Sequence, residues 1–282
     1  MPRPAVAPDR FVVDVGGSPV HMHEIGAGPP VLLLHGSGPG TTGWGAWRAV
    51  AETLAERHRV TVLDQAGFGG TPFPGGPPDD MHSRREVWVE QAGAVMAARG
   101  VQRYAVVGHS MGGAVALALA AARPEAVERV VAVASMGASM PLQSALDGLW
   151  AARPDGQGDG ARAMLALLYH DPALVTDEAV RAREAAMRAG EDAFAPLFPP
   201  PRERWVRDLA LSAETLAAVA APVLLVHGAH DRLTPLEFAA LPLLEQLEDA
   251  RLYALARCGH VPALEHQQEF LRVLTDFLES DA

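Results

Sequence analysis

Short apolar runs alternate with longer stretches of helical spacing along most of this chain, and this alternation limits the fold more than any other feature. The apolar runs predict strands at 31–34, 59–63, 103–107, 129–134, 222–226 and 251–255. The helical spacing predicts helices at 44–58, 83–99, 111–123, 236–247 and 262–278. Continuous apolar runs are typical of parallel strands that are buried on both faces. The sequence therefore predicts an α/β fold with a mostly parallel central sheet, preceded by a hairpin at 11–15 and 20–25.

The alternation breaks between residues 136 and 207, where no strand-like run occurs. Within this segment, glycines at 156–160 predict a flexible loop, and three prolines at 199–201 predict the end of a helix. We interpret 136–207 as a helical cap inserted into one α/β core, whose two parts are 1–135 and 208–282. A length of 282 residues fits this division, since single α/β domains often reach about 250 residues.

Charge and composition restrict the partners and the chemistry. The net charge of -11 disfavours nucleic acid and anionic membrane surfaces as partners. The chain contains no lysine, which excludes a Schiff-base lysine and a phosphate-loop lysine. The single cysteine, Cys258, has no partner for a disulfide, and residues 1–10 lack an apolar signal core. We expect a cytoplasmic protein that acts on a small molecule, without a metal or another cofactor.

The segment 108–113 joins a predicted strand to a predicted helix and reads GHSMGG. This context is typical of a nucleophile elbow, in which the flanking glycines permit a sharp turn that exposes the hydroxyl of Ser110. The helix N-terminus beneath the hydroxyl favours negative charge. The alternative interpretation is an ordinary Gly/Ser turn.

A serine hydroxyl is a weak nucleophile without a base, and the sequence offers a base and an acid in the required order. Asp231 follows the strand at 222–226, and His260 follows the strand at 251–255. We predict that Asp231 orients His260, which acts as the general base for Ser110. A helix-capping aspartate and a packed loop histidine are the alternatives when each is taken alone.

Glycines also follow the strand at 31–34, in the sequence HGSGPG at 35–40. Such a loop can direct backbone N–H groups at a small anion. The N–H groups of Ser37 and Met111 are the predicted oxyanion hole. A phosphate-binding loop is the alternative, but it would need a lysine.

These segments resemble the α/β-hydrolase superfamily and, more narrowly, the meta-cleavage-product hydrolases, which split a carbon–carbon bond in 2-hydroxy-6-oxo-dienoates. The loop at 35–40 with Trp44 is similar to that subgroup's oxyanion loop, and DQAGFG at 64–69 is similar to its strand-end loop. The stretch 198–206 is similar to part of the cap in alkylbenzene-pathway members. The resemblance implies an α/β-hydrolase fold, a cofactor-free serine hydrolase and a tendency to form homodimers.

The resemblance also implies which residues bind substrate. Arg183 looks like the cap arginine that holds the substrate carboxylate, and Arg181 on the same predicted helix is the alternative. The other implied contacts are Gly36, Gly38, His109 and Val261.

Three positions depart from the family pattern. The asparagine that usually precedes the serine is His109, the tryptophan that usually follows the histidine is Val261, and an asparagine of some members is Ala46. His109 retains a hydrogen-bond donor, whereas Val261 and Ala46 have no polar side-chain group.

Three functions fit the sequence. The first is C–C bond hydrolysis of a dienoate, and the second is hydrolysis of an ester, thioester or lactone. The third is a non-catalytic ligand receptor on the same fold, which an intact set of Ser110, Asp231 and His260 disfavours.

Overall fold

A single sheet forms the centre of the computed structural model, which describes residues 8–280, so most of the polar stretch at 1–10 lies outside the described residues. Its strands are β1 Asp9–Val15, β2 Ser18–Ile25, β3 Pro30–Leu34, β4 Arg59–Leu63, β5 Tyr104–His109, β6 Val127–Val133, β7 Val223–Gly228 and β8 Ala250–Leu255. Their order across the sheet is β1-β2-β4-β3-β5-β6-β7-β8. β2 pairs antiparallel with β1 and β4, and every other neighbouring pair is parallel, which confirms the predicted α/β fold.

Helices connect these strands. Between β3 and β6 they are α1 Gly43–Leu54, α2 Met81–Ala98 and α3 Met111–Ala122. Between β6 and β7 they are α4 Ser144–Ala151, α5 Asp159–Leu168, α6 Asp177–Ala189, α7 Glu191–Phe194, α8 Glu203–Leu209 and α9 Ala213–Ala217, with a short 3₁₀ helix at Pro172–Leu174. After β7 they are α10 Ala240–Gln246, α11 Pro262–Glu265 and α12 Gln267–Glu279. No strand lies within 136–207, the segment that we call the cap segment.

Several helix boundaries differ from the prediction for local reasons. α2 begins at Met81 because the Asp80 carboxylate accepts a hydrogen bond from the N–H of Ser83 and caps the helix there. The helix predicted at 236–247 begins only at Ala240, because the preceding residues form turns around Pro235. The helix predicted at 262–278 is broken at His266, whose backbone is not helical (φ -130°, ψ 47°).

The glycine-containing loop before α5 ends earlier than predicted and is held by side-chain hydrogen bonds. The carboxylate of Asp155 accepts hydrogen bonds from the backbone N–H groups of Gln157, Gly158 and Gly160. These bonds replace the flexible loop of the sequence prediction with a compact turn, and α5 starts inside the predicted loop range.

The core consists of two apolar layers, one on each face of the sheet. In β3, Leu32 and Leu34 pack in the layer that holds α2 and α3, while Val31 and Leu33 pack in the layer that holds α1 and α12. This division follows from the period of two in a strand. α3 is buried along almost its whole length, as expected for a helix that is apolar all round.

The parallel strands β3, β5, β7 and β8 all end at one edge of the sheet, and the loops that leave them therefore lie side by side. In open α/β sheets ligands bind at this carboxyl edge. Within residues 8–280, no helix is both long enough and apolar enough to cross a membrane.

Candidate active site

The turn between β5 and α3 holds Ser110 in a strained backbone conformation. Its φ of 55° and ψ of -117° lie outside the regions that a residue with a side chain readily adopts. The surrounding glycines make this turn sterically feasible. A Cβ on Gly108 would lie 2.1 Å from the Gly112 carbonyl oxygen, and a Cβ on Gly112 would lie 2.5 Å from the Leu34 carbonyl oxygen. This geometry is the one that a nucleophile elbow requires.

Asp231 and His260 are in direct contact. The Nδ1 atom of His260 lies 2.7 Å from Oδ2 of Asp231, and both residues are buried. Because a carboxylate only accepts, His260 carries its hydrogen on Nδ1 when neutral and keeps a lone pair on Nε2. Nε2 is the atom that can take a proton from a serine hydroxyl.

The Asp231 carboxylate is fixed by three further hydrogen bonds. Its Oδ1 atom accepts from the backbone N–H groups of Leu233 and Thr234, and its Oδ2 atom accepts from the Thr234 hydroxyl at 2.7 Å. The buried ring of His227 lies 3.4 Å from the same Oδ2. Burial acts to raise the pKa of Asp231, but its interactions with His260 and His227 outweigh burial and hold that pKa far below the ordinary value. Asp231 is therefore a permanent anion beside His260.

Ser110 and His260 both line the same cavity. In the part of the chain from 8 to 280, no side chain or backbone group forms a hydrogen bond with Ser110 Oγ. Hydrogen bonds of this kind are often long before substrate binds, so the arrangement is compatible with a serine–histidine pair.

The loop after β3 is held by His35, which the sequence analysis did not assign a role. The His35 ring donates from Nδ1 to the Gly36 carbonyl oxygen at 2.7 Å and accepts at Nε2 from the N–H of Gln65. In a trans peptide the C=O and N–H groups point in opposite directions, so anchoring the Gly36 oxygen directs the N–H of Ser37 away from His35. Burial lowers the pKa of His35 and keeps the ring neutral for this role.

The two predicted oxyanion donors lie beside Ser110. A Cβ on Gly36 would lie 3.1 Å from the Cβ of Ser110, which places the loop against the elbow. Met111 is the first residue of α3, where backbone N–H groups have no partner inside the helix. Among the described residues, none accepts a hydrogen bond from the N–H of Ser37 or of Met111. Both groups are available to an oxyanion.

The cap segment contacts these loops through specific hydrogen bonds. The indole N–H of Trp150 donates to Ser37 Oγ at 3.0 Å, and the N–H of His260 donates to the Leu168 carbonyl at 2.8 Å. The Glu265 carboxylate accepts from the N–H of Gly259 and from the N–H of His170, both at 2.7 Å. Sequence patterns did not reveal these contacts, since each joins residues that are far apart or unremarkable in sequence.

A cavity of about 350 Å³ separates the strand ends from the cap segment. Its apolar walls include Val133, Leu146, Leu149, Met164, Leu165, Leu168 and Leu233. The predicted residues Gly36, Gly38, His109 and Val261 also line it. The structure therefore brings together every residue that the sequence analysis proposed for the site, with Arg181 the exception.

Arg183 is the one charged side chain of α6 in this cavity, whereas Arg181 is exposed and lines a separate groove. The Arg183 guanidinium donates to the Pro39 carbonyl at 3.3 Å, and no carboxylate of residues 8–280 lies within 4 Å of it. Burial lowers the pKa of Arg183 from its ordinary value, while nearby Tyr169 acts to raise it. A half-buried cation without an acidic partner is suited to an anionic ligand.

His109 differs from the sequence-based interpretation. Its Nε2 atom lies 2.8 Å from the carbonyl oxygen of His260, so its single N–H is used by the backbone. The hydrogen bond that the sequence analysis offered to the substrate from His109 is therefore not available. The described residues contain no group of three or more His, Cys, Asp or Glu side chains that could hold a metal ion.

The fold and this site define the class of protein. The sequence model of the alpha/beta hydrolase fold family matches residues 29–267, and the chain belongs to this family. Two curated relatives, each 38% identical to this chain, are named hydrolases. This protein is accordingly an enzyme, a hydrolase, and not a non-catalytic ligand receptor.

The individual relatives indicate which subgroup of this family the chain resembles. One is the 2-hydroxy-6-oxo-2,4-heptadienoate hydrolase of Pseudomonas putida, with 96% of each chain covered. Another is the 2-hydroxymuconate semialdehyde hydrolase of a Pseudomonas species, with 94% of this chain and 93% of the relative covered. A solved meta-cleavage product hydrolase from Pseudomonas fluorescens superposes with a TM-score of 0.89 at 31% identity, covering 95% of this chain and 96% of that chain. These findings confirm the resemblance to C–C bond hydrolases.

Proposed function

We propose that this hydrolase cleaves the C5–C6 bond of a 2-hydroxy-6-oxo-2,4-dienoate, with Ser110, Asp231 and His260 as its catalytic triad. The observation that carries the proposal is the guanidinium of Arg183, which has no carboxylate partner within residues 8–280 and lies in a mostly apolar cavity that also contains Ser110. A dienoate brings a carboxylate for the arginine and an apolar chain for the walls. The names of the relatives support the same substrate class.

Arg183 holds the substrate carboxylate, because a guanidinium binds a carboxylate through two parallel hydrogen bonds and low exposure strengthens the pair. This contact places the C6 carbonyl beside Ser110 at the other end of the site. Gly36, Gly38 and Val261 shape the cavity wall and offer the substrate no side-chain hydrogen bond.

The dienol ketonises before the bond breaks: the proton leaves O2 and a proton arrives at C5. Ser110 Oγ then attacks C6 while His260 Nε2 takes its proton, and Asp231 stabilises the imidazolium. The negative charge on the C6 oxygen is held by the N–H groups of Ser37 and Met111. The C5–C6 electron pair leaves into the ketone as a dienolate, which takes the proton from His260.

The acyl group remains on Ser110 after this step. His260 removes a proton from water, the hydroxide attacks the acyl carbon, and the acid leaves as the serine recovers its proton. One water molecule is consumed, and the products are a carboxylic acid and a 2-hydroxydienoate. The cavity, closed by residues 136–207 acting as a cap over the core parts, separates this chemistry from bulk solvent.

Ester hydrolysis is the second candidate. The apolar residues Val261 and Ala46, which stand where family members carry polar side chains, favour it, because a neutral ester needs no polar head-group contact. The same triad and oxyanion hole serve this reaction, and its leaving oxygen needs no ketonisation. The predicted cytoplasmic location and the predicted homodimer stay part of the proposal.

Side-by-side rate measurements distinguish the two candidates. Ring-fission dienoates are yellow, so their cleavage is followed by loss of visible absorbance, and p-nitrophenyl esters release a coloured phenol. We expect kcat/KM for the dienoate to exceed that for every neutral ester. An enzyme that hydrolyses esters and leaves all dienoates unchanged would instead be an esterase.

A further inference from the structure

The hydroxyl of Thr234 lies beside the contact between Asp231 and His260. Its Oγ1 atom is 2.7 Å from Asp231 Oδ2 and 3.4 Å from His260 Nδ1, and all three side chains are buried. Two oxygen atoms 2.7 Å apart need a hydrogen between them, and a carboxylate only accepts. The Thr234 hydroxyl therefore donates to the same oxygen that accepts from His260.

The backbone on both sides of this hydroxyl is held by hydrogen bonds. The N–H of Thr234 donates to Asp231 Oδ1 at 3.1 Å, and its carbonyl oxygen accepts from Nε2 of His227 at 2.6 Å. The Ala134 carbonyl oxygen, 3.2 Å from Oγ1, is the more distant of the two acceptors that the hydroxyl can reach. A β-branched side chain on a fixed backbone has little rotational freedom, so the hydroxyl stays directed at Asp231.

Two donors on one carboxylate oxygen change what that oxygen does for His260. The protonated ring of a triad histidine is stabilised by the negative charge of its aspartate. A hydrogen bond to a carboxylate stabilises this charge and leaves less of it for a second donor. The Thr234 hydroxyl therefore weakens the hold of His260 on an added proton.

We propose that Thr234 is a positioning residue that acts through Asp231: its hydroxyl shares Oδ2 with His260 and keeps the histidine in its unprotonated, basic form at lower pH. This inference rests on the proposed function, since it takes His260 as the base for Ser110. Thr234 keeps its own hydrogen throughout the reaction and transfers no proton. An enzyme without this hydroxyl needs a higher pH to hold the same fraction of active base.

The other titratable groups around the site do not bond to this hydroxyl. They are His109 at the end of β5, His227 at the end of β7, Cys258 and Glu265 on the core side, and Arg183 and Tyr169 in the cavity. Burial lowers the pKa of His109 to about 3 and raises the pKa of Cys258, so both stay neutral near neutral pH. Within residues 8–280, Thr234 Oγ1 forms no hydrogen bond with any of these groups, so its removal acts on the pair of Asp231 and His260.

The pH dependence of kcat/KM tests the proposal. It is measured for wild-type, Thr234→Val and Thr234→Ser protein, with p-nitrophenyl acetate and with 2-hydroxy-6-oxohepta-2,4-dienoate. Valine keeps the shape and removes the hydroxyl, so the midpoint of the acid limb should move up by about 0.5–1 pH unit, as for the loss of one hydrogen bond. Serine keeps the hydroxyl and should return the midpoint to the wild-type value.

The controls separate this role from a structural one. Thr61→Val is the matched control, because Thr61 is a buried threonine of β4 whose hydroxyl has no hydrogen-bond partner in the described part of the chain. Its midpoint should equal that of the wild type. A purely structural Thr234 would lower kcat/KM by one factor at every pH, so an unmoved or lowered midpoint in Thr234→Val overturns the proposal. Thr234→Ala gives the same measurement if Thr234→Val does not fold.

NMR distinguishes failure of this inference from failure of the proposed function, because it needs no substrate. The ring signal of His260 in histidine-labelled enzyme, identified by its loss in His260→Gln protein, is followed against pH. Its midpoint should move up in Thr234→Val protein even if the enzyme cleaves no dienoate, a result that would refute the proposed reaction alone. If the dienoate is cleaved and the midpoint does not move, only this inference falls.

Discussion

The two sides of the cavity are built in different ways. On the core side, backbone groups at strand ends create the site: the strained turn at Ser110, the glycines around it and the anchored peptide at Gly36. On the cap side, helices contribute side chains: Arg183 lines the cavity, and Trp150 donates a hydrogen bond to Ser37 in the oxyanion loop. Backbone geometry tolerates little change, whereas a helix can exchange side chains freely. We infer that the core side determines the reaction and the cap side selects the substrate.

Ser110→Ala should have the largest effect, since it removes the proposed nucleophile on the core side. We expect kcat to fall by about 10⁴-fold or more with dienoates and esters alike. The free energy of unfolding should change little, because alanine has the same backbone cost at φ 55°. Rate measurements and urea denaturation check both statements. Retention of most activity would refute the assignment of Ser110.

Arg183→Gln should have the next largest effect and should act on one substrate class. Leaving the substrate carboxylate without its cation should cost roughly 2–4 kcal/mol in kcat/KM with acidic dienoates. Neutral p-nitrophenyl esters should be hydrolysed at nearly the wild-type rate. Arg181→Gln, an exposed change on the same helix, is the matched control and should affect neither substrate. Equal losses of kcat/KM with both substrates would contradict the inference that the cap side selects the substrate.

Trp150→Phe tests whether the division between the two sides is strict. Trp150 is a cap residue, but its N–H contacts Ser37 in the oxyanion loop. Phenylalanine keeps the stack on Phe198 and loses this bond, which should lower kcat about tenfold for both substrates. Trp205→Phe is the matched control, because the Trp205 N–H bonds to Pro199 within the cap segment. Equal rates in Trp150→Phe and wild-type protein would show that the oxyanion loop on the core side does not need this hydrogen bond from the cap side.

The last prediction concerns the core side and is measured as stability rather than as a rate. The pKa of His109 is lowered to about 3 in the folded state, against about 6.5 in the unfolded chain. Between these values the unfolded state binds a proton that the folded state does not, so stability falls as the pH falls below about 6.5. The contribution approaches about 1.4 kcal/mol per pH unit. His109→Phe should flatten the dependence in urea titrations between pH 7 and pH 5, and identical slopes would contradict the buried neutral ring.

Sequence patterns predicted the core side better than the cap side for a physical reason. The elbow requires glycines at fixed positions around Ser110, and the residues of the proposed triad follow strands. Both features can therefore be recognised from local sequence patterns. The cap contacts are side-chain pairs such as Trp150 with Ser37, and no local pattern encodes them. Which of Arg183 and Arg181 faces the cavity depends on the rotation of α6 about its axis. Two arginines two positions apart in the sequence do not reveal that rotation.

The hydrogen bonding of His109 shows the same limit. Its sequence position next to Ser110 predicted a place in the site, but which of its ring nitrogens carries the hydrogen depends on the His260 carbonyl, 151 positions away. The break at His266 between α11 and α12 was missed because residues 265–269 contain no glycine or proline that would mark a helix end. Local spacing predicts the elements, local capping and turns decide their boundaries, and tertiary contacts decide the orientation of polar atoms.

Product analysis tests the central claim, carbon–carbon bond hydrolysis by this serine site, most directly. The wild-type enzyme is incubated with 2-hydroxy-6-oxohepta-2,4-dienoate in ¹⁸O-labelled water, and the products are identified by mass spectrometry. The account predicts labelled acetate and 2-hydroxypenta-2,4-dienoate in equal amounts, and neither product with Ser110→Ala protein. Unchanged dienoate, in a preparation that hydrolyses p-nitrophenyl acetate, would contradict it.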